Sequence, residues 1–280
     1  MLSKYYPFDF FKSKAKEMKR TLISYSQFYE YNYCAWKFYI ERIKKLGIKE
    51  TTEPISIGFS IHSVLKDKLL NPTMSLETIL SNFKTTILKQ IPNSSETDKI
   101  IEEVSLIIKN IPFDNIFKKY EIIKVEENLW HNIDDKYLFM GVLDLVLKEK
   151  ETGRIVIVDW KYTKNLNGWK QYKINDKRIT AQLLFYKNFY FLENKGDLNN
   201  IYIEYWILTP EAPYFIIMPV ESNNDLVKEA VMELDFTIKK IYDLQSFKKA
   251  KFNSAPYKCD YCQYRNDFNL CNEEPKQELK

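Results

Sequence analysis

The chain has 280 residues, 45% of them apolar and 29% charged, a balance that belongs to globular proteins and excludes a disordered chain. Charge breaks every apolar run well before the ~18 residues a membrane span needs, and "MLSKYYPFDFFKSKAKEMKR" offers no uninterrupted apolar stretch for a signal peptide. The expectation is a cytoplasmic protein with no membrane partner. A net charge of +4 does not by itself argue for a nucleic-acid partner.

In chain order, the first local feature is basic: Lys12, Lys14, Lys16, Lys19 and Arg20, a run matched near the other end by Lys248, Lys249 and Lys251. Such runs suit a solvated face or phosphate contacts. The pattern then predicts helices over 24–46, 57–70, 75–91 and 96–110, separated by polar or proline breaks. Strands follow over 121–130 and 137–148, joined by the turn "HNIDD", and a third begins after "KEKETG". A helix over 176–194, strands over 200–208 and 213–219, and a helix over 222–248 complete the run before an irregular cysteine-bearing end. The order strand, strand, strand, helix, strand, strand, with helices before and after, predicts an α/β (α+β) domain with a mixed sheet flanked by helices. With no repeat or low-complexity linker, 1–280 reads as a single domain. It comprises a helical region (21–120), an α/β core (121–220) and a C-terminal helix with the cysteine segment (221–280).

The third strand, "RIVIVDWKYT", poses the chemical question. Side chains alternate along a strand, so Ile155, Ile157, Asp159 and Lys161 share one face and Val156, Val158 and Trp160 the other. Both faces are apolar, as in a strand covered on each side, and a carboxylate there is costly without a cation or hydrogen bonds. Asp159 and Lys161 can pair with each other. "GVLDLVL" repeats the pattern, because Asp144 is the only charge in an aliphatic strand. If these strands pair, Asp144 and Asp159 meet, and two buried carboxylates repel unless a cation lies between them. Oxygen donors suit a hard divalent ion, Mg2+ or Mn2+, and Lys161 beside it can polarise water and stabilise charge on a phosphate.

Other candidates are weaker alone. His62 flanks the apolar stripe Ile57, Ile61, Val64, Leu65 and Leu69, with Gly58 one turn earlier leaving room for a neighbour; it can equally be a hydrogen-bonded core residue. His131 falls in a polar turn and reads as surface. Gln182 and Tyr186, one helical turn apart, can bond a phosphate, orient the lysine, or simply pack. Trp169 and Tyr172 are candidates to stack on bases.

Four cysteines do not make a disulfide framework in an intracellular chain. Cys259-x-x-Cys262 with Cys271 and the distant Cys34 can supply four thiolates to zinc or to an iron–sulfur cluster. Such a clip closes a very long loop, which on entropy alone stabilises by up to about 5 kcal/mol. Otherwise Cys34 is a small buried side chain.

Taken in order, these pieces resemble the RecB-like branch of the PD-(D/E)XK nucleases. The nearest likeness is its iron–sulfur group, which includes CRISPR-associated spacer-acquisition exonucleases and AddB-type subunits. "SYSQFYEYNYCAWKF" is similar to that group's N-terminal signature through Ser24, Ser26, Phe28, Tyr31, Cys34 and Phe38. "GFSIH" resembles its G-x-x-x-H helix, "GVLD" its G-x-x-D strand, "DWK" its D-x-K strand, and "QLLFY" its Q-x-x-x-Y helix. The likeness runs from about Thr21 to Cys271. It departs at Ala35, where proline is usual, at Leu145, where arginine often follows the aspartate, and in the wide gap between Cys262 and Cys271.

The resemblance implies that His62, Asp144 and Asp159, with the Trp160 carbonyl, ligate Mg2+ or Mn2+. Lys161 would be catalytic, and Gln182 and Tyr186 would support the site and the DNA. Cys34, Cys259, Cys262 and Cys271 would hold a structural 4Fe–4S cluster, with zinc as the alternative. The implied activity is exonucleolytic cleavage of single-stranded DNA ends, with a helicase or integrase complex as a possible protein partner. The alternative is a non-cleaving, cluster-stabilised DNA-binding subunit of a recombination or repair complex.

Overall fold

The computed structural model describes residues 7–46, 53–91, 95–241, 262 and 264. The chain forms two compact units, one of Met1–Glu50, His131–Met140 and Lys228–Lys280, the other of Thr51–Trp130 and Gly141–Val227. The run 248–251 lies outside the described residues.

The second unit opens, after three helices that belong to the first, with α4 (Glu53–Leu70), α5 (Leu76–Leu88), α6 (Ser95–Lys109) and α7 (Phe113–Lys119). Their apolar stripes form one core: Ile57, Ile61, Val64 and Leu65 of α4 pack with Phe83 and Ile87 of α5 and Val104 and Ile107 of α6. The same core takes in Leu145 and Leu147 of strand β3 (Tyr137–Glu149) and Val156, Val158 and Trp160 of strand β4 (Ile155–Tyr162). Strand β2 (Tyr120–Asn132) pairs with β3, and β3 pairs antiparallel with β4 through Leu145↔Val158 to Lys148↔Ile155. Strand β5 (Ile201–Leu208) lies parallel to β4, and β6 (Phe215–Pro219) antiparallel to β5.

A parallel β4–β5 pair needs a crossover, and helices α8 (Leu166–Gln171) and α9 (Lys177–Asn194) supply it. Helix α9 packs on β4 and β5. Hydrogen bonds hold it as well: Tyr205 Oη donates to the Ile179 carbonyl at 2.8 Å, and buried Lys187 Nζ donates to the Ser222 carbonyl at 2.6 Å and to Ser222 Oγ at 3.1 Å. The mixed sheet flanked by helices is therefore present, with the strands and long helices of this unit within a few residues of their expected limits; the expected end of the last helix, 242–248, lies outside the described residues. His131 is within β2 and half-buried, not in the turn.

In the first unit, α1 (Pro7–Glu17) leads to strand β1 (Thr21–Ser24), which pairs in parallel with the start of β3 through Thr21↔Tyr137 to Ser24↔Met140. The expected long helix over 24–46 is instead α2 (Tyr25–Tyr33), α3 (Ala35–Phe38) and a wider helical turn, Tyr39–Ile43. Cys34 makes the break. Its backbone is extended (φ −159°, ψ 104°), and its Sγ accepts the Lys37 N–H at 3.4 Å, so a thiol caps the next helix. Helix α10 (Asn224–Ile241) brings Ile241 to a cluster with Tyr31, Trp36, Phe38, Tyr39, Ile40 and Tyr264.

Helix α2 begins with reciprocal caps: Ser24 Oγ accepts the Gln27 N–H, and Gln27 Oε1 accepts the Ser24 N–H at 2.9 Å. The serine that opens the "SYS" signature thus has a local structural role. Ser24→Ala should lower unfolding free energy by about 1 kcal/mol and Ser24→Gly by only a few tenths, measured by urea titration. Equal losses would mean that the cap is not what Ser24 contributes.

Candidate active site

Strand pairing brings the first charged groups together. Beyond Leu145↔Val158, the next residues outward are Asp144 and Asp159, on the face opposite the helical core that receives Leu145 and Val158. Asp144 Oδ2 accepts the Trp160 N–H at 2.9 Å, which ties the two strands at this point. Leu145, where an arginine was expected to be common, is fully buried in the apolar core, a place with no room for a guanidinium.

His62 reaches the pair from α4. Its Nδ1 lies 3.7 Å from Asp144 Oδ1 and 3.5 Å from Glu126 Oε1. One ligand atom each from His62, Glu126 and Asp144 lie within 4.8 Å of one another, a spacing that can hold a metal ion. The space beside Gly58 is open, with no atom within 4 Å of where a Cβ would stand.

Glu126 is the residue that sequence reading missed. It takes a left-handed backbone (φ 51°) in the middle of β2, a conformation that costs a non-glycine residue about 1–3 kcal/mol. The left-handed step breaks the strand's strict alternation, so pattern alone assigns Glu126 to no face. The available signal was slight: two adjacent carboxylates, Glu126 and Glu127, in a strand that also carries Glu121 and Lys124.

The other end of the site is a relay. Lys161 Nζ lies 2.5 Å from Asp159 Oδ2 and donates to Gln182 Oε1 at 3.3 Å. Gln182 Nε2 donates to Tyr186 Oη at 3.2 Å. Helical spacing on α9 places Gln182 and Tyr186 one above the other. Tyr186 lies so close to β3 that a Cβ on Gly141 would stand 2.6 Å from its Cε1. The glycine of "GVLD" is therefore required by the tyrosine of "QLLFY".

The charges are mutually dependent. Burial pushes the Asp144 carboxyl up, as do Asp159 and Glu126, against the pull of His62 and Lys161; the result is about 7. Burial alone would lower the His62 imidazole, but Asp144, Glu126 and Asp159 outweigh it and raise it to about 9. Lys161 is likewise disfavoured by burial, yet Asp159 and Asp144 hold it above its ordinary value. Burial, then the charge of Asp159, raises the Tyr186 phenol. At neutral pH His62 is thus an imidazolium, standing where a cation is wanted.

Of the expected site residues, His62, Asp144, Asp159, Lys161, Gln182 and Tyr186 are together in the second unit, and Trp160 contributes its N–H. Trp169 is a correction: it is buried at 4% exposure with its ring 5.1 Å from that of Tyr205, so it cannot stack on a base. Tyr172 is 71% exposed. In the first unit, Cys34 and Cys262 pack against the same aromatic cluster. Cys259 and Cys271 lie outside the described residues.

Residues 22–267 match the model of the PD-(D/E)XK nuclease superfamily. A crystal structure of an inferred exonuclease from Eubacterium rectale aligns with a TM-score of 0.58, at 15% identity, over 95% of this chain and 92% of that one. At that identity the likeness shows the fold alone. A second solved structure, of the protein SSO0001, covers 82% of this chain and 91% of its own at 14% identity, and its TM-score of 0.35 carries no argument. No curated protein matches the sequence.

Because Asp144 rises from 3.8 to about 7 on folding, the folded state binds the extra proton between those values, and its stability falls as pH rises through that window. In metal-free protein, Asp144→Asn should therefore raise the melting temperature at pH 8 and change it little below about pH 4. Added Mn2+ should raise the wild-type value far more than the variant's. A variant less stable than wild type at pH 8 would show that the carboxylate is stabilised where it stands.

Proposed function

Because this chain belongs to the PD-(D/E)XK nuclease superfamily, we propose that it is a divalent-metal-dependent deoxyribonuclease acting as an exonuclease on single-stranded ends. The observation that carries this reading is the convergence of His62, Glu126 and Asp144 beside the Asp159–Lys161–Gln182–Tyr186 relay.

The donor set fits Mg2+ or Mn2+. Asp144 and Glu126 offer hard oxygens and His62 one nitrogen, a mixture that Mn2+ accepts readily. The raised Asp144 value marks a carboxylate that lacks enough positive charge around it. Asp159 and the Trp160 carbonyl complete the set on this reading. A bound divalent ion supplies Lewis-acid polarisation of the phosphate and charge to set against the carboxylates. It must compete with the proton on His62, so affinity rises with pH.

The protein's own groups do the rest. Asp159 and Gln182 fix the Lys161 ammonium, which stabilises negative charge developing on the phosphate and orients the attacking water. Tyr186, wedged against Gly141, keeps Gln182 in place. A module without cleavage has no use for so costly a charge cluster.

The four cysteines hold a 4Fe–4S cluster on the same reading. Its support is that Cys34 and Cys262, from opposite ends of the chain, pack against one aromatic cluster, with the Cys34 sulfur already accepting a backbone N–H.

End-labelled single- and double-stranded DNA should be shortened stepwise with Mn2+ or Mg2+ and left intact with chelator. Asp144→Ala, Asp159→Ala and Lys161→Ala should each abolish cleavage, a loss of at least about a hundredfold. Only Lys161→Ala should keep the metal-induced rise in melting temperature. Wild-type cleavage by a folded Lys161→Ala protein would overturn its assignment.

Anaerobically purified protein should be brown, with iron and acid-labile sulfide each near about four per chain. Cys34→Ala should bleach it and lower its melting temperature. A colourless protein with one zinc would replace the cluster and leave the nuclease reading intact.

A further inference from the structure

The segment after Lys161 carries Lys164, Lys170, Lys173, Lys177 and Arg178, which the chemistry above leaves unused. Two of these are neutralised. Lys164 lies 3.7 Å from Glu103 and 3.9 Å from Glu53, and Arg178 forms a two-pronged pair with Asp176 at 3.0 and 2.5 Å.

Lys173 has no carboxylate partner among the described residues. Its ammonium lies 5.1 Å from the centre of the Trp169 ring, a cation–π contact. Trp169 stands edge-on to Tyr205, and Tyr205 is the β5 residue in register with Asp159. Two aromatic rings thus lead from the strand position beside Asp159 to the Lys173 ammonium. Burial, and then the positive charge of Lys161, destabilise that ammonium. An anion near both ammonium groups would relieve that repulsion.

The platform is built rather than loose. Thr163 Oγ1 accepts the Asn165 N–H at 3.0 Å, and Asn165 Oδ1 accepts the Gly168 N–H at 2.7 Å. A Cβ on Gly168 would stand 2.8 Å from Asn165 Nδ2, so a side chain there would push the capping amide aside. The next exposed group is the ring of Tyr172.

We propose that Lys173 and Tyr172 form a subsite for the DNA strand beside the scissile phosphate, Lys173 holding a neighbouring phosphodiester and Tyr172 stacking on a base. The inference rests on the nuclease reading and names how that site grips its substrate. Phosphate contacts carry no sequence information, and every base has a face to stack, so the grip is sequence-tolerant. Trp169 is a positioning residue that acts through Lys173.

The test is binding of a fluorescein-labelled oligothymidylate by anisotropy, with chelator present so that nothing is cut, over a range of salt. Lys173→Ala should weaken binding about threefold or more and lower the slope of log K against log salt by about 0.7, the value for one phosphate contact on a single strand. Tyr172→Ala should weaken it about fivefold or more, with Tyr172→Phe restoring it. Under cleavage conditions both alanine variants should raise KM by a larger factor than they lower kcat. Unchanged affinity and salt slope in both variants, with wild-type DNA cleavage present, would remove the subsite and leave the nuclease reading standing. A wild-type protein that neither binds nor cuts DNA with Mg2+ or Mn2+ would overturn both.

Discussion

The constraint on which the site depends is the cost of placing Asp144 and Asp159 side by side out of water. Each neighbouring feature offsets part of it: the Trp160 N–H on Asp144, the Lys161 ammonium on Asp159, and the His62 imidazolium drawn up against Asp144 and Glu126. Lys161 in turn needs Gln182, Gln182 needs Tyr186, and Tyr186 needs the missing side chain at Gly141. Motifs separated by tens of residues are successive links in the stabilisation of one charge cluster. Breaking any link leaves a buried group without its partner, which is why such clusters tolerate so little change.

Much of this was legible because strand and helix periods say which residues share a face. The alternation in "RIVIVDWKYT" assigned Val156, Val158 and Trp160 to one side and Asp159 and Lys161 to the other, and the structure separates them in that way. The i, i+4 spacing on α9 likewise put Gln182 and Tyr186 together. Where the chain departs from its period, the sequence falls silent. Glu126 sits on a left-handed step inside a strand, Cys34 splits what reads as one helix, and α7 and α8 are too short to show a period. Trp169 was misjudged because an aromatic residue after a charge-bearing strand looks the same in sequence whether it faces a base or Tyr205.

The electrostatics also frame the role of the metal. A site in which His62 is raised to about 9 carries its own positive charge at neutral pH, held by the carboxylates that would bind a divalent ion. Proton and metal compete at His62 and Asp144, both of which are held above their ordinary values by their surroundings.

The two units are interleaved along the chain: the first is drawn from three stretches and the second from two. The short visit His131–Met140 is the telling one, because its last residues take β1 as their strand partner. Trimming both termini to isolate the site-bearing part would retain Tyr137–Met140 but strip away that partner. It would leave the backbone groups of a strand edge bare, next to Leu138 and Phe139, which are otherwise fully covered. Bare, apolar edges recruit other chains. For fragment screening or grafting, the practical unit is the uninterrupted polypeptide, and shortened versions trade solubility for size.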